Sequence, residues 1–299
     1  MDEFTNLHLH SLYSLQDSVI KIEDLVKKLI EYGQTACAVT DHSSTAAYYE
    51  FKEECVKNNI KPIFGNEFYL NKNYEEKTRD RDHLVCLAKN DIGVLNINWL
   101  QNEAVNHFYY KPILAYDSLK DHCEGLFGTS ACSLGIISKM ILENNFDKAW
   151  DYLDFFMEVF DGYFALELQF HPQYKDQYTI NNGLLKLHEL SGVPLTVSTD
   201  AHFIDDHYMD VRRAIKAIAY DTTYDEAMES LYSNCLGNSD LVLHFAEETD
   251  FDLSVVRKAI KMTTKIADMC NADLCSTDRK VPVFNKHLEL EELMERVLG

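Results

Sequence analysis

The stretch ACAVTDH, residues 36–42, sets the pattern from which the fold is inferred. Four small or apolar residues, typical of a buried strand, run directly into a carboxylate and an imidazole. The same order returns in LTVSTDAH, residues 195–202. Because the residues that close parallel strands meet at one edge of a sheet, the two segments predict a shared site.

Other short runs rich in β-branched and aromatic residues are also expected to be buried strands. They are Phe4–Leu9, Pro62–Leu70, His83–Ala88, Leu126–Ser130 and Tyr163–Gln169. Helical patterns lie between most of them, so the order of elements is that of an α/β barrel or doubly wound sheet. His83 opens its run, which indicates either an antiparallel strand or a histidine that reaches in from the preceding loop.

The helical patterns differ in how clearly the sequence marks their ends. The first has Ser18 as its predicted N-cap and stops at Gly33. The others are expected near residues 44–57, 92–105, 134–142, 147–160, 184–190 and 205–218. Strand patterns cease after Tyr220, and residues 224–271 are predicted to be helical throughout, as an annex to the sheet domain.

The composition narrows the class of protein. No segment approaches the roughly 18 apolar residues that a membrane span needs, so no membrane partner is expected. The 8 cysteines have irregular spacing and no CxxC pair, which favours reduced thiols and a cytoplasmic location. The net charge of −21 disfavours general binding to nucleic acid, although bound divalent ions would reverse the charge locally.

Imidazole, carboxylate and thiol groups stand at the ends of the predicted strands. The candidate metal ligands are His8, His10, Asp17, His42, Glu67, His83, Cys132, Asp200 and His202, with His171 beside them. His8 and His10 share one face of a strand, close enough to bind one ion. Glu67 interrupts an apolar run, and a carboxylate buried there requires a cation or hydrogen-bond donors.

Several candidates also have an ordinary structural interpretation. His8 and His10 could lie on a solvated edge strand, Cys132 could be a packing residue, and His171 could be a loop histidine. Asp17 adjoins the predicted N-cap, and Asp200 with His202 could form a polar turn. Asp41 either caps the next helix or supports an imidazole through its ring N–H. These interpretations would have to hold independently at seven strand ends, so a joint metal site is the stronger prediction.

The motifs, taken in order, resemble the polymerase-and-histidinol-phosphatase (PHP) domain, as at the amino terminus of bacterial DNA polymerase III alpha subunits. They are HLHS (8–11), SLQD (14–17), TDH (40–42), IKPIFG (60–65), HLVCLAKN (83–90), FYYKP (108–112), GL (125–126), SAC (130–132), LELQ (166–169) and TDAH (199–202). The resemblance covers residues 3 to about 284. Ser18 and Ser43 stand where the family usually has glycine, and Ile113 where a basic residue commonly follows Lys-Pro.

This resemblance implies a distorted (β/α)7 barrel with up to three divalent ions, which would be zinc, manganese or iron. One ion would be bound by His8, His10, Glu67 and Asp200, a second by Glu67, His83 and Cys132, and a third by Asp17, His42 and His202. Asp200 and Glu67 would be catalytic, and His171 would contact the substrate phosphate.

The resemblance also predicts a domain organisation and an activity. Residues 1–222 would form the metal-bearing barrel, 223–284 the helical annex, and 285–299 a linker and the start of a polymerase segment, in an excised or phage-encoded version. The implied activity is 3′–5′ proofreading hydrolysis at a DNA 3′ end, with polymerase core domains as partners in cis or in trans. Two alternatives are a non-catalytic scaffold for a polymerase or proofreading subunit, and a small-molecule phosphomonoesterase of histidinol-phosphatase type.

Overall fold

A computed structural model describes residues 3–75, 77–227 and 232–274. In this part of the chain a seven-stranded sheet is covered by helices on its outer face. The strands are β1 (Ala36–Val39), β2 (Lys61–Asn71), β3 (Asp82–Ala88), β4 (Leu114–Ala115), β5 (Leu126–Thr129), β6 (Phe164–Gln169) and β7 (Leu195–Ser198). The sequence missed only the two-residue β4, which is too short to show an alternating pattern.

The order of strands across the sheet is β1-β2-β3-β5-β6-β7, with β4 beside β2. β3 runs antiparallel to both β2 and β5, whereas the β1–β2, β5–β6 and β6–β7 pairs are parallel. The first residues of β3 therefore lie at the edge of the sheet where the neighbouring strands β2 and β5 end. This settles the position of His83, which opens an antiparallel strand.

The segment before β1 joins the two ends of the sheet. Asn6 bridges Cys37 of β1, and Leu9 bridges Ala201 just after β7. The backbone N–H of His10 donates to Ala201 O at 2.8 Å. The predicted strand Phe4–Leu9 is thus present as isolated bridges on both sides, and it curls the sheet into the expected distorted barrel.

The helices follow the predicted order with shifted ends. They are α1 (Ile22–Glu31), α2 (Tyr48–Lys57), α3 (Asp91–Asn106), α4 (Ile136–Leu142), α5 (Phe146–Val159), α6 (Asp176–Ser191), α7 (Met209–Ala219), α8 (Ser239–Glu248) and α9 (Leu253–Met269). Ser18 does not cap α1, which begins at Ile22 after Lys21. The Ser18 hydroxyl instead donates to the carbonyl oxygens of His10 and His202, holding two chain segments together.

Residues 224–271 are not continuously helical, contrary to the sequence prediction. A 3₁₀ turn at Tyr232–Asn234 precedes α8, and Thr249–Asp252 separate α8 from α9. Asn238 and Asp252 cap the two helices by accepting from the N–H groups of Leu241 and Ser254. These caps start new helices where periodicity alone indicated one long helix.

The helix α9 packs against the barrel. Ile266, Ala267 and Cys270 join an apolar cluster with residues of five strands, including Ile63 and Val85. Side chains two apart on a strand share a face, so this cluster lies on the same concave face as Glu67 and His83. Candidate polar ligands thus occupy one end of the barrel interior, and α9 covers apolar residues towards the other.

One predicted segment lies outside the described residues. It is the linker and start of a polymerase segment at residues 285–299, and the last ten residues of the predicted annex, 275–284, also lie outside the described part. The boundary at residue 222 remains a proposal. Within the described ranges, no helix has the length and hydropathy of a membrane span.

Candidate metal centre

The barrel edge gathers the predicted ligands from seven places in the chain. Glu67 lies in β2 and His83 in β3, while the other ligands follow strands or lie in the segment that closes the barrel. Three groups of residues could each hold an ion, because the candidate ligand atoms within each group lie within 4.8 Å of one another. The groups are His10, His42 and His202; His8, His10 and Asp200; and His42, Glu67 and His83.

Glu67 is at the centre of the cluster and is 1% exposed. Its Oε1 atom lies 3.3 Å from His8 Nε2 and 2.8 Å from His83 Nδ1. Its Oε2 atom lies 3.3 Å from His10 Nε2 and 2.6 Å from His42 Nδ1. One carboxylate therefore meets four imidazoles, which suits a ligand that bridges ions.

Asp200 approaches the same histidines from the end of β7. Its Oδ1 atom lies 3.2 Å from both His8 Nε2 and His10 Nε2. The residue has a φ of 49°, in the left-handed region that non-glycine residues rarely adopt. Such backbone strain commonly concentrates at functional sites, and here it turns the carboxylate towards the cluster.

The two predicted departures from glycine have different consequences. Ser43, directly after His42, has a φ of 41°, so a serine occupies a left-handed conformation that glycine would adopt freely. Ser18 has no positive φ, so this position does not require glycine. The backbone therefore accepts serine at both positions.

Asp17 forms the outer part of the cluster. Its Oδ2 atom lies 3.2 Å from His42 Nε2 and 3.6 Å from His202 Nε2. Its Oδ1 atom faces two cations on α7, Lys216 Nζ at 3.5 Å and Arg212 Nη2 at 3.6 Å. Part of the charge of this ligand is therefore offset by side chains that the sequence analysis did not single out.

Cys132 is the softest of the predicted ligands. Its Sγ atom lies 3.5 Å from His83 Nδ1 and 3.8 Å from Glu67 Oε1. Burial, followed by the charge of Glu67, raises the pKa of the thiol well above its usual value. A cation at this position would reverse the effect by stabilising the thiolate.

Several buried atoms of the cluster have no hydrogen-bond partner among the described residues. They are His8 Nε2, His10 Nε2, Asp17 Oδ1, His42 Nδ1, Glu67 Oε2 and Asp200 Oδ1. Buried polar atoms normally find partners, so orphaned atoms that converge on one another call for something between them. Neutral imidazoles and carboxylates are ligands for zinc, manganese and iron, and the residues therefore fit divalent ions.

The charges in the cluster support the same interpretation. Burial by itself raises the pKa of Glu67, but His83, His42 and His8 outweigh it and hold that pKa well below its usual value. Burial lowers the pKa of His42, yet Glu67 and Asp17 raise it to about 9. Attraction between protonated imidazoles and carboxylates thus stabilises the cluster, and divalent ions bound there would displace the imidazole protons.

Glu167 supports the cluster from behind, and the sequence analysis did not assign it a role. Its Oε1 atom accepts from His8 Nδ1 at 2.8 Å and from Ser198 Oγ at 2.6 Å, and Thr129 donates to Oε2. This contact orients the His8 ring so that Nε2 faces the other ligands. A buried acid in the apolar strand LELQ was the available signal, as it was for Glu67.

Asp41 supports the cluster through serines. Ser14 Oγ donates to Asp41 Oδ1 at 2.7 Å and lies 3.0 Å from His10 Nδ1. Asp41 also accepts from the backbone N–H and hydroxyl of Ser11. The prediction that Asp41 holds an imidazole directly is corrected, because a hydroxyl stands between the two groups.

Comparison with known proteins identifies the family. Residues 6–171 match the family model described as PHP domain. The chain belongs to the PHP domain family. The DNA polymerase III alpha subunit of Borreliella burgdorferi is 33% identical over 98% of this chain and 27% of its own length. The alpha subunit of Aquifex aeolicus is 31% identical over 82% of the chain and 22% of its own length.

This PHP domain therefore spans about a quarter of the length of the polymerase subunits it matches. A solved structure from Bifidobacterium adolescentis is provisionally assigned as a metal-dependent phosphoesterase. The match covers 83% of this chain and 97% of the length of that protein, at 11% identity. Its TM-score is 0.49, a likeness too distant to bear on the fold or chemistry of this chain.

Six of the candidate ligands of this PHP domain line an open pocket of about 400 Å³: Asp17, His42, His83, Cys132, Asp200 and His202. His171 lies in its wall, with Nδ1 2.7 Å from Ser233 Oγ and Nε2 3.2 Å from Gln169 Oε1. Burial lowers the pKa of His171 to about 4. At neutral pH this imidazole is uncharged, so its predicted contact with phosphate would be a hydrogen bond between a neutral donor and an anion.

We expect Glu167→Gln to weaken metal binding by the PHP domain about 10- to 100-fold, since a carboxylate behind a histidine ligand sets the orientation and basicity of the ring. Competition with a chromophoric chelator measures the affinity. Glu158→Gln, on the outer helix α5, is the matched control. Equal affinities in wild type and Glu167→Gln would contradict the assigned role.

Proposed function

We propose that this PHP domain hydrolyses DNA phosphodiesters at a 3′ end in a metal-dependent, proofreading 3′–5′ exonuclease reaction. The observation that carries the proposal is the set of converging, orphaned imidazole and carboxylate atoms, of which those of Asp17, His42 and Asp200 belong to residues that line an open pocket. The relationship to DNA polymerase III alpha subunits supports DNA as the substrate.

The residues are assigned to the three proposed ions by their positions in the cluster. His8, His10, Glu67 and Asp200 would hold one ion, with Glu67 shared with His83 and Cys132. Asp17, His42 and His202 would hold a third. Divalent ions bound there supply Lewis acidity, which lowers the pKa of water and offsets the charge of phosphate.

The protein contributes binding and positioning. Burial and the positive charge of Arg212 lower the pKa of His202 to about 4, so this imidazole is neutral and able to coordinate at physiological pH. Glu67 and Asp200 remain ionised, since the surrounding imidazoles hold their pKa values low. The single N–H of neutral His171 points at Gln169 Oε1, so His171 would donate to a phosphate oxygen by exchanging that acceptor for the phosphate.

A loop beside the pocket favours a polynucleotide over a small phosphomonoester. Phe108 is 62% exposed and Tyr110 59%, and the guanidinium carbon of Arg79 lies 3.9 Å from the Tyr110 ring centroid. Lys111, next in the chain, donates to the Tyr69 hydroxyl at 2.6 Å, and the Tyr69 ring stacks on His42. Exposed aromatic rings with adjacent cations are suited to stacking the bases of a single strand.

The partners are proposed on the same basis. The relatives carry their matching segment within a polymerase subunit, so polymerase domains would act with this domain in cis or in trans. A cytoplasmic location is consistent with this context, and the seven cysteines in the described part of the chain are free thiols.

A non-catalytic scaffold is the second candidate, favoured by the fact that this segment is a minor part of each large polymerase relative. A scaffold does not need bound ions. Metal analysis by mass spectrometry of protein purified without chelator therefore separates the two candidates, because the exonuclease requires near-stoichiometric metal.

We expect the purified protein to shorten a 3′-labelled primer when Mn²⁺ or Zn²⁺ is added, and Asp200→Asn to lower the rate by at least about 100-fold because Asp200 meets two histidine ligands. A 5′-labelled primer gives the polarity. Asp154→Asn, on the exposed face of α5, is the control.

The result has clear alternatives. No cleavage by wild type with any of these ions, or equal cleavage by Asp200→Asn prepared in parallel, would remove the exonuclease proposal. Release of phosphate from a small monoester without primer cleavage would favour the phosphomonoesterase.

A further inference from the structure

Two cations of α7 line the same pocket as the metal ligands. Arg212 and Lys216 are one helical turn apart and so lie on the same side of the helix. Arg212 is only 3% exposed, which is unusual for arginine unless its charge has partners. These two residues form a part of the pocket wall that contains neither the candidate metal ligands nor the loop of Phe108, Tyr110 and Lys111.

The contacts of Arg212 leave part of its guanidinium unused. Nε donates to Asp17 O at 3.4 Å, and Nη2 lies 3.6 Å from Asp17 Oδ1. Nη1 is buried and has no hydrogen-bond partner among the described residues. A buried charged donor without an acceptor is costly, so an acceptor supplied by a ligand in the pocket would be favoured.

The local charge also favours an anion. Lys216 Nζ lies 3.5 Å from Asp17 Oδ1, the same oxygen that Arg212 approaches. Two cations thus approach a single carboxylate oxygen at this wall, and the second carboxylate of the pocket, Asp200, is already in contact with His8 and His10. In a chain with a net charge of −21, two cations side by side in one pocket wall are a local concentration of positive groups that an anionic ligand could contact.

We propose that Arg212 and Lys216 bind the non-bridging oxygens of the substrate phosphate and so determine specificity for phosphate esters. This inference rests on the proposed function and assigns the substrate-binding wall of that same site. The planar guanidinium presents several N–H donors to a tetrahedral phosphate, and the ammonium adds a point charge.

The test is equilibrium binding of inorganic phosphate, measured by calorimetry on the full chain with Mn²⁺ bound. We expect Arg212→Gln and Lys216→Gln each to raise the Kd for phosphate about tenfold or more, because each removes a charge-assisted contact. Arg212→Lys, which keeps the charge but loses the fork of donors, should fall between wild type and Arg212→Gln.

Arg213→Gln is the matched control, with the same change of charge on the same helix. Arg213 is directed away from the pocket, because its Nε donates to Tyr224 O at 2.9 Å and its guanidinium packs on the Tyr224 ring. Its phosphate Kd should equal that of wild type. Metal content is measured for every variant, so that loss of an ion near Asp17 is not mistaken for loss of a phosphate contact.

The outcomes separate this inference from the proposed exonuclease. Unchanged phosphate affinity in both Arg212→Gln and Lys216→Gln overturns the inference, even if wild type cleaves DNA. Weakened phosphate binding in both variants with full metal content supports it, even if wild type does not cleave DNA. For DNA as substrate, the supporting result is a raised KM with a smaller change in kcat.

Discussion

Replacing Glu67 by Gln is expected to remove most of the bound divalent metal and to abolish hydrolysis. The Glu67 carboxylate lies within 3.3 Å of four histidine side chains, so its charge is shared by more ligands than any other in the cluster. Loss of a residue behind a ligand already costs about 10- to 100-fold in metal affinity, and loss of the bridging ligand should cost more. Mass spectrometry of the metal content and the primer assay provide the two measurements.

Glu53→Gln, an exposed glutamate on α2, is the control for loss of one negative charge. Circular dichroism in the presence of chelator establishes that Glu67→Gln is folded, so that lost metal is not a consequence of unfolding. Full metal content in folded Glu67→Gln would show that Glu67 is not a ligand, and the assigned centre would be wrong.

Shortening the chain to residues 1–222 is expected to prevent stable folding. The removed part includes α9, whose Ile266, Ala267 and Cys270 cover the apolar barrel interior. The backbone N–H of Thr5 also donates to Thr263 Oγ1 at 3.0 Å, and Lys61 Nζ to Ala267 O at 2.7 Å. Without α9, apolar strand residues and these polar partners would be exposed or unpaired.

A point substitution tests the packing of α9 on the barrel without removing the helix. Ile266→Ala in the full chain is expected to lower the free energy of unfolding by about 2–5 kcal/mol, as for other buried isoleucines cut to alanine. Lys265→Ala, its exposed neighbour, should change it by less than about 0.5 kcal/mol. Two results together would instead favour a separable annex. They are a 1–222 fragment that folds and binds metal, and equal stability of Ile266→Ala and Lys265→Ala in the full chain.

The local sequence predicted most of the strands and the edge to which the ligands belong. ACAVTDH and LTVSTDAH each place ligands directly after a buried run, and a strand pattern spans only a few residues, so both could be recognised without a structure. The position of His83 was left open, because the direction of a strand depends on which strands it pairs with.

The residues that the sequence missed all act over long distances along the chain. Glu167 meets His8 across 159 positions, and Arg212 meets Asp17 across 195. Arg212 has no local pattern that distinguishes it from an ordinary charged residue, and the only local signal for Glu167 is its place in an apolar strand, which does not reveal its partner. The end of the predicted long helix was misjudged for a related reason, since periodicity continues through short breaks at which caps start a new helix.

The sequence by itself determined most of the order of strands and helices, the set of candidate ligands and the family, because each depends on short motifs and their order along the chain. Only the tertiary structure decided which imidazole meets which carboxylate, which cations line the pocket, and that α9 covers the barrel interior. Those features depend on contacts between segments far apart in the chain, where burial and charge are properties of the folded protein.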